Sequence, residues 1–567
     1  MRRIMLTIVA GGTACANPPG AIPGAWPLFD EVREVRGDSA MVVSGHPLAS
    51  EVGVDVLRAG GNAVDAAVAV GFALAVVLPE AGNIGGGGFM VIRQASGQTV
   101  ALDYRETAPA RTTPTMYRDT AGGVSETIRV GHLASGVPGS VAGLAEAQRR
   151  FGRLPLGRVM APAIRLAREG HELDGHRARS MASAARVLAR FEASRRKWLP
   201  GGSPPDSGTI FRQPDLARTL QTIADSGPRA FYEGWIADSI VAEMERGGGL
   251  IGKADLAGYA PIWREPVTFT YRGYTVHSMP LSSSGGITLA LILNMLEGWD
   301  TLPPPASAQH VHLLTEIMRR AFTDRNEYLG DPAFVEVPVE RLASQAYADE
   351  RRADIAEAHA SPSSALRPGL REGTETTHYS VVDAEGNAVA VTTTINSGFG
   401  SGVTVSGAGF LLNNEMDDFT AAPGEPNIYG LVQGAANAIA PGKRMLSAMS
   451  PTLVLDPDGR LCMVLGSPGG PTIITTVAQV ISYVVDHGLT LAEAVAAPRV
   501  HHQGLPDSLR YERRGLQGFT LRQLERMGHR PDERRGYSGD VAAVMRAPAG
   551  GWLGIADPRR GGGAAGY

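Results

Sequence analysis

TTHYSVVDAEGNAVAVTTTI, residues 376–395, is the stretch of this sequence that decides the fold most directly. Two β-rich runs, Tyr379 to Asp383 and Ala388 to Ile395, flank the triplet Glu385-Gly386-Asn387. Gly and Asn tolerate the positive φ angles that tight turns need. The pattern therefore predicts a β-hairpin.

The residues before this hairpin have a different character. From Ala343 to Arg371 the chain is rich in Ala, Ser, Arg and Glu and contains Pro362 and Pro368, which is typical of an exposed linker. Thr376 therefore lies where a linker meets a strand, at a junction that could be cleaved. Because threonine before a strand is ordinary in β-structure, the junction alone indicates a strand and not a catalytic residue.

Short β-rich runs alternate with long alanine-rich segments in the first part of the chain. A helix is predicted from Ala49 to Ala59, and a second helix, apolar on nearly all sides, from Ala63 to Val77 with Asn62 as its N-cap. The glycine run from Gly85 to Gly88 leads into a strand. A phosphate-binding loop leads from a strand into a helix, so this reversed order argues against a nucleotide site.

Size and composition narrow the class of protein. A chain of 567 residues is too long for one ordinary core, so several domains or one large multilayer domain are expected. Hydrophobic residues make up 43% and charged residues 19%, a globular balance. The formal charge of -4 and the scattered basic residues argue against binding to a nucleic-acid backbone. His310 and His312 do not share a helix face, so no metal site is expected there.

The first sixteen residues have the pattern of a secretory signal. Arg2 and Arg3 precede a short apolar run, and Ala14-Cys15-Ala16 fits the small-x-small rule for cleavage before Asn17. Residues 1–16 are therefore predicted to be a signal peptide, and the protein to be periplasmic or secreted. Two alternatives remain, a lipid anchor on Cys15 and a disordered tail. Without Cys15, Cys462 has no partner for an intrachain disulfide.

Seven motifs, in order along the chain, resemble those of the gamma-glutamyltransferase family. They are Gly60-Gly61-Asn62-Ala63-Val64-Asp65-Ala66-Ala67, Ala81-Gly82-Asn83-Ile84 with Gly85 to Gly88, Asp103-Tyr104-Arg105-Glu106, Ser283-Ser284-Gly285-Gly286, Thr376-Thr377-His378-Tyr379-Ser380, Asn413-Asn414-Glu415-Met416-Asp417-Asp418-Phe419 and Gly466-Ser467-Pro468-Gly469-Gly470. The resemblance covers nearly the whole chain from about Ser39. It implies an α+β fold, the four-layer αββα sandwich of the N-terminal-nucleophile hydrolases.

The resemblance also implies a precursor that cuts itself between Glu375 and Thr376. Residues 17–375 would form a large subunit and residues 376–567 a small catalytic subunit, joined as a heterodimer. A threonine hydroxyl is a poor nucleophile and needs a nearby base. Once Thr376 is N-terminal its own α-amine, with a pKa of about 7.7–8.0, can supply that base. The expected activity is γ-glutamyl transfer or hydrolysis from glutathione and related amides through an acyl-enzyme, with no cofactor or metal.

The remaining roles are implied position by position. The expected site consists of Thr394 as hydrogen-bond partner of the nucleophile, Gly469 and Gly470 as the oxyanion hole, Arg105 and Ser447 for the donor α-carboxylate, Asn396, Glu415 and Asp418 for its α-ammonium, and Tyr429 in a lid loop. Backbone N–H groups of glycine can approach an oxyanion closely. A guanidinium suits a carboxylate, and acids and an amide oxygen suit an ammonium.

Two departures from the family pattern fall on this site. The family commonly has two adjacent serines where this chain reads Leu446-Ser447-Ala448-Met449, and Pro471-Thr472 replaces a frequent Ser-Arg pair. Loss of one hydroxyl opens an alternative, an acylase for glutaryl or cephalosporin-type side chains that lack an α-amine. Glu415 and Asp418 favour a donor with an ammonium, because two acids would repel a purely anionic acyl group. A protein that only binds γ-glutamyl compounds is a third alternative, which retention of Thr376 disfavours.

Overall fold

The structure is a computed structural model, and it describes residues 26–120, 123–363, 376–422, 431 and 433–567. The predicted signal peptide with Cys15, the residue Glu375 and the lid residue Tyr429 lie outside these ranges. In the described ranges, no helix combines the length and the apolarity needed to span a membrane.

Two seven-stranded sheets form the centre of the molecule. Strands of the first sheet, in spatial order, are β1 (Arg33–Gly37), β18 (Trp552–Ala556), β17 (Ala542–Arg546), β13 (Leu461–Gly466), β12 (Thr452–Leu455), β9 (Tyr274–Ser278) and β8 (Val267–Tyr271). The second sheet has the order β19 (Gly563–Gly566), β2 (Met41–Ser44), β10 (Thr377–Val382), β11 (Ala388–Thr394), β3 (Gly87–Arg93), β4 (Thr99–Asp103) and β7 (Ile262–Arg264). Their strand pairs are antiparallel, as in α+β proteins.

Smaller pairings lie at the periphery. A three-stranded sheet contains β14 (Val500–His501), β15 (Leu509–Glu512) and β16 (Pro531–Arg534), and a two-stranded one contains β5 (His171–Glu172) and β6 (Ile210–Phe211).

The two large sheets pack face to face through a buried apolar layer. Val43, Val91 and Val382 from the second sheet meet Leu453 and Val464 from the first. Each of these side chains is inaccessible to solvent. Alternate residues of a strand point to opposite faces, so each sheet has its other face free to bind helices.

Helices cover those outer faces and complete four layers. They are α1 (Pro47–Arg58), α2 (Ala63–Val77), α3 (Ser140–Phe151), α4 (Leu156–Glu169), α5 (Gly175–Leu188), α6 (Glu192–Trp198), α7 (Pro214–Ser226), α8 (Arg229–Tyr232), α9 (Trp235–Gly247), α10 (Lys253–Ala257), α11 (Gly285–Leu296), α12 (Ala308–Tyr328), α13 (Val339–Leu342), α14 (Gln345–Arg352), α15 (Thr472–Val485), α16 (Leu491–Ala496) and α17 (Gly518–Arg526). Helices α1 to α4 share a core with the second sheet, and α11, α12 and α15 with the first. The expected αββα sandwich is confirmed.

Helix α2 shows how closely local sequence sets an element. The Asn62 side chain accepts hydrogen bonds from the N–H groups of Val64 and Asp65, and the Asp65 carboxylate accepts one from the Asn62 N–H. This reciprocal capping box fixes the start of the helix. All fifteen residues of α2 are buried, as its apolar surface predicts.

The predicted hairpin is confirmed and lies in the middle of the second sheet. Strands β10 and β11 pair in register from Thr377↔Thr393 to Val382↔Ala388, and the turn between them includes Gly386 at φ 89°. Strand β2 pairs with the other edge of β10. Central placement matters because it holds the start of β10, and with it Thr376, inside the molecule.

The predicted linker is partly wrong. Residues Gln345–Arg352 form helix α14, which packs against α11, and Ser363 is fully buried beside Arg319. Ser344 caps this helix through the Tyr347 N–H, and Arg352 hydrogen-bonds the Gly298 carbonyl. The low hydrophobicity of the segment suggested exposure, but its charged side chains make tertiary contacts. The rest of the predicted linker, residues 364–371, lies outside the described ranges.

Candidate active site

Thr376 lies immediately before β10 and is 5% exposed. Antiparallel pairing brings the start of β10 beside the end of β11, where Thr394 is the last residue. The Thr376 Oγ1 donates to the Thr394 Oγ1 across 3.4 Å. The sheet therefore brings together two hydroxyl groups that the sequence analysis predicted to be partners.

The turn after β11 orients Thr394 and Asn396. The Asn396 N–H donates to the Thr394 Oγ1 at 2.7 Å, and the Asn396 Nδ2 donates to the Asn414 carbonyl at 3.0 Å. Asn396 has φ 73°, a left-handed conformation that asparagine adopts more easily than most residues. The hydrogen bond to the Asn414 carbonyl holds the amide side chain in one orientation.

Gly469 and Gly470 form a turn on another wall of the pocket. Their φ angles are 134° and 56°, both in the region that favours glycine, and Gly470 lines the same pocket as Thr376. Neither glycine N–H donates a hydrogen bond to any residue in the described ranges. Helix α15 starts two residues later, so its positive end lies beside these free donors. The arrangement can bind an oxyanion.

Thr472 accounts for one departure from the family pattern. The Thr472 Oγ1 donates to the Gly469 carbonyl at 2.8 Å. A Cβ added at Gly469 would collide with the Thr472 Oγ1. Pro471 is the residue before the helix. Together they hold the glycine turn in place without the frequent Ser-Arg pair.

A buried ionic network supports the other side of this turn. The Ser467 Oγ accepts a hydrogen bond from the Asp540 N–H at 2.8 Å. Nearby, Arg499 and Arg559 both pair with Asp557, at 2.6 Å and 3.0 Å. Removal of one member would leave an uncompensated buried charge and would destabilise this region.

Arg105 binds two of the acids that are predicted to bind the donor. Its Nη1 lies 2.7 Å from the Glu415 Oε2, its Nη2 donates to the Asp418 carboxylate, and its Nε donates to the Met445 carbonyl at 3.3 Å. Burial lowers the pKa of Arg105, but Glu415, Asp418 and Glu106 together raise it above its usual range. Arg105 is therefore a fixed cation at the centre of three carboxyl groups.

The three carboxyl groups have raised pKa values because they are buried. Burial raises the pKa of Glu106 to about 8, against the lowering effect of Arg105. It also raises the pKa values of Glu415 and Asp418, again opposed by Arg105. Neither carboxylate oxygen of Glu106 has a hydrogen-bond partner in the described ranges. Burial therefore favours the neutral form of Glu106.

Ser447 and Ala448 line the same pocket as Thr394. The Ser447 Oγ accepts from the Met449 N–H at 3.2 Å, and the Ser447 carbonyl accepts from the N–H and the Oγ of Ser284 at 2.8 Å and 2.6 Å. Ala448 lines the pocket with 8% of its surface exposed. The second serine of the family pattern, which Ala448 replaces, would therefore place its hydroxyl in the pocket.

Arg325 also lines this pocket, and the sequence analysis did not identify it. It lies near the end of α12 and is 2% exposed. Burial lowers its pKa to about 10, partly opposed by Asp418. Nothing in the local sequence separates Arg325 from Arg319 and Arg320 on the same helix.

One group of side chains away from the pocket has metal-ligating types. His312, Glu316 and His529 are buried, and their ligand atoms lie within 4.8 Å of one another. Both oxygens of Glu316 are already occupied by Arg319 and Arg320, at 3.2 Å and 2.8 Å. Two adjacent guanidinium groups disfavour a cation, so the chemistry of this group does not fit a metal.

Comparisons with known proteins agree with this geometry. Residues 49–567 match the family described as Gamma-glutamyltranspeptidase. The chain is 47% identical to the glutathione hydrolase proenzyme of Escherichia coli K12, over 99% of this chain and 97% of that protein. It is 42% identical to the acylase ACY 1 proenzyme of Pseudomonas sp. V22, over 86% and 87%. The crystal structure of cephalosporin acylase from Bacillus halodurans superposes with a TM-score of 0.84 at 30% identity, over 96% and 99% of the two chains.

Proposed function

The chain belongs to the gamma-glutamyltranspeptidase family of enzymes, and from this premise we propose that it transfers or hydrolyses the γ-glutamyl group of glutathione and related γ-glutamyl amides. The observation that carries the proposal is the convergence of Thr376, Gly470, Arg105, Glu415 and Asp418 on one pocket. These residues supply a nucleophile, an oxyanion site and complementary charges for an amino-acid head group.

Thr376 is the proposed nucleophile. Its Oγ attacks the γ-carbonyl carbon of the donor while its free α-amine takes the hydroxyl proton. The oxygen of the tetrahedral intermediate gains negative charge, which the N–H groups of Gly469 and Gly470 stabilise. The C–N bond then breaks, the ammonium returns its proton to the leaving amine, and a γ-glutamyl ester remains on Thr376. Water or an amine acceptor cleaves this ester by the reverse sequence.

The same hydroxyl is proposed to cleave the precursor and so to expose the α-amine that later acts as the base. Thr376 Oγ attacks the Glu375 carbonyl, the peptide nitrogen leaves as the amine of Thr376, and water hydrolyses the resulting ester. Residues 17–375 and 376–567 then form the large and small subunits of a heterodimer. Burial of Thr376 and its contact with Thr394 support this step, because both restrict the hydroxyl to one position.

Charge complementarity supports an amino-acid head group in the pocket. Arg105 pairs with Glu415 and Asp418. A donor ammonium that binds the two acids and Asn396 would free Arg105 for the α-carboxylate, so one set of ion pairs replaces another. A bound cation would also favour the ionised form of both acids. Ser447 adds a hydroxyl for the carboxylate, and Tyr429 is proposed to cover the site as part of a lid.

An acylase for glutaryl or cephalosporin-type side chains is the second candidate. Ala448 raises it, because it is a departure from the γ-glutamyltransferase pattern that lies in the pocket wall itself. The similarity to proteins called acylases adds weight. Glu415 and Asp418 oppose it, since neither has an evident use for a donor without an ammonium.

Release of aniline from γ-glutamyl anilide and from glutaryl anilide separates the two candidates. We expect kcat/KM to be higher for the γ-glutamyl compound. Activity on glutaryl anilide alone would contradict the γ-glutamyl proposal and favour the acylase. A purified chain that stays uncut and turns over neither compound would support the binding-only alternative.

The cellular location is a separate proposal. Residues 1–16 are proposed to direct export and to be removed before Asn17, which gives a periplasmic or secreted enzyme. The intact mass of the large subunit from the native host tests this. A mass that includes residues 1–16 would contradict it, and a large subunit that starts at a lipid-modified Cys15 would favour the anchor.

A further inference from the structure

Arg325 is a buried arginine that forms no ion pair with any residue in the described ranges. Buried arginines of the same helix do have such partners: Arg319 pairs with Glu316, and Arg320 with Glu316 and Asp354. Burial of a charge is costly unless an opposite charge or several hydrogen bonds compensate it. Asp418 acts on Arg325 only from beyond ion-pair distance, and the lack of a carboxylate in direct contact with Arg325 among the described residues calls for a reason.

The guanidinium of Arg325 is held by neutral acceptors on two sides. Its Nε donates to the Ser284 Oγ at 3.1 Å, and its Nη1 donates to the Gln433 Oε1 and the Asn326 Oδ1, each at 3.0 Å. These contacts fix the plane of the group. Its Nη2 donates to none of the described residues. Because the side chain lines the pocket, Nη2 remains for a ligand.

The position of Arg325 relative to Ser447 indicates which ligand group it meets. The Ser284 Oγ accepts from Arg325 and donates to the Ser447 carbonyl at 2.6 Å. Arg325 and Ser447 therefore lie on the same wall, joined by one hydroxyl, and Ala448 follows directly. An anion is the complement of a free, fixed N–H of a guanidinium.

We infer that Arg325 is a specificity-determining residue that binds the carboxylate of the acyl donor together with Ser447. This inference rests on the proposed function for the position of the acyl group. It holds for a γ-glutamyl and for a glutaryl donor alike, since both carry a carboxylate at that end. Arg105 pairs with two acids of the pocket, whereas the Arg325 Nη2 donates to none of the described residues. Arg325 is therefore a second cation, besides Arg105, that is available to the carboxylate.

The Arg325→Gln variant tests the inference with three anilides. γ-Glutamyl anilide carries the carboxylate and the amine, glutaryl anilide only the carboxylate, and 4-aminobutyryl anilide only the amine. For whichever carboxylate donor the wild type uses, we expect KM to rise about 10- to 100-fold, the loss expected for a hydrogen bond to a charged group. The specificity ratio of that donor over 4-aminobutyryl anilide should fall by a similar factor.

Two controls separate binding from a structural role. Arg325→Lys keeps the positive charge but loses the planar arrangement of N–H donors of the guanidinium. Its KM should therefore lie between those of the wild type and the glutamine variant. Arg320→Gln removes a buried arginine of the same helix that does not line the pocket, so it should lower the unfolding temperature and leave the specificity ratio unchanged. Self-cleavage of each variant reports folding.

Several outcomes would overturn the inference. They are an unchanged KM in folded Arg325→Gln, an equal loss on all three donors, and a lysine variant whose specificity ratio equals that of the glutamine variant. A wild type that prefers glutaryl anilide would contradict the proposed γ-glutamyl function alone, because Arg325→Gln can then be measured on that donor.

Discussion

The Thr376 and Thr394 hydroxyl groups are the smallest unit on which the proposed chemistry depends. Their contact follows from strand register, since the first residues of β10 pair with the last residues of β11. The 3.4 Å separation leaves the Thr376 oxygen close to its partner and facing the pocket. A side chain so placed needs only a base to become a nucleophile.

Thr376→Ala should abolish both self-cleavage and turnover, because the same oxygen performs both steps. Thr376→Ser should retain both at reduced rate, since it keeps the hydroxyl but not the methyl group that restricts its rotamer. A denaturing gel and release of aniline from γ-glutamyl anilide measure the two effects. A chain that is still cut in the alanine variant would show that another residue is the nucleophile.

Ala448→Ser should strengthen donor binding. The added hydroxyl would lie next to Ser447 on the pocket wall and could donate to the donor carboxylate. A hydrogen bond to a charged group is worth about 1.5–3 kcal/mol, so KM for γ-glutamyl anilide should fall by about 10- to 100-fold. Ser447→Ala is the matched change in the opposite direction and should raise KM. An Ala448→Ser variant with an unchanged KM would mean that the carboxylate does not reach this wall.

The glycine turn before α15 is the element that sets the electrostatics of the proposed reaction. It brings two uncommitted N–H groups and the start of a helix to one point. Both glycines have positive φ angles, which would strain the backbone of a residue with a Cβ but not that of glycine. The turn after β11 also contains a residue with a positive φ angle, which is Asn396 and not a glycine.

Gly469→Ala should lower kcat by about 100- to 1,000-fold, the usual effect of losing an oxyanion-hole donor. A Cβ at this position collides with Thr472, so the turn must shift. Gly459→Ala is the control, because Gly459 has φ 77° and open space around a Cβ, so it carries backbone strain without a role in the pocket. Equal kcat values for the two variants would contradict an oxyanion role for the turn.

Glu106, in the segment after β4, should make donor binding depend on pH. Its pKa is raised to about 8, so the group is neutral near pH 7 and ionises as the pH rises through 8. The new negative charge would lie 3.5 Å from Arg105, near Asp418 and Asp103, and would compete with a donor carboxylate. KM for γ-glutamyl anilide should therefore rise above pH 8 in the wild type.

Glu106→Gln should remove that rise, because its amide does not titrate. Measurement of KM from pH 6 to 9 in both proteins separates Glu106 from the α-amine of Thr376, which titrates in the same range but is present in both. Identical pH profiles would show that Glu106 does not govern donor binding.

At the scale of the whole molecule, four layers bring together residues that are far apart in sequence. Arg105 follows a strand of the second sheet, Arg325 lies near the end of a helix that packs on the first sheet, and Gly470 lies two residues before another such helix. The two sheets meet through a buried apolar core, which holds the strands that carry the pocket residues in place. Preorganised walls matter because an oxyanion site that must rearrange loses its advantage.

Much of this architecture could be predicted from local sequence. Period-two alternation and the Gly386-Asn387 turn indicate the hairpin, and Asn62 with Asp65 indicates the start of α2. The motifs indicated the site residues, although their roles remain predictions. Local composition misled for residues 345–352, where polar side chains form a packed helix.

The role proposed for Arg325 could not be predicted in this way. Arg319, Arg320 and Arg325 are alike in sequence, and only the fold shows that the first two have ion-pair partners while the third has none among the residues that the structure describes. Long-range packing decides which of three similar residues faces the pocket.

The central claim is that Thr376 becomes N-terminal and then carries the acyl group. Mass spectrometry of the purified protein, quenched in acid during turnover of γ-glutamyl anilide, tests it directly. We predict a small subunit that begins at Thr376, with a γ-glutamyl group on that residue in part of the population. A chain still intact across Glu375 and Thr376, or an adduct on any other residue, would contradict the account.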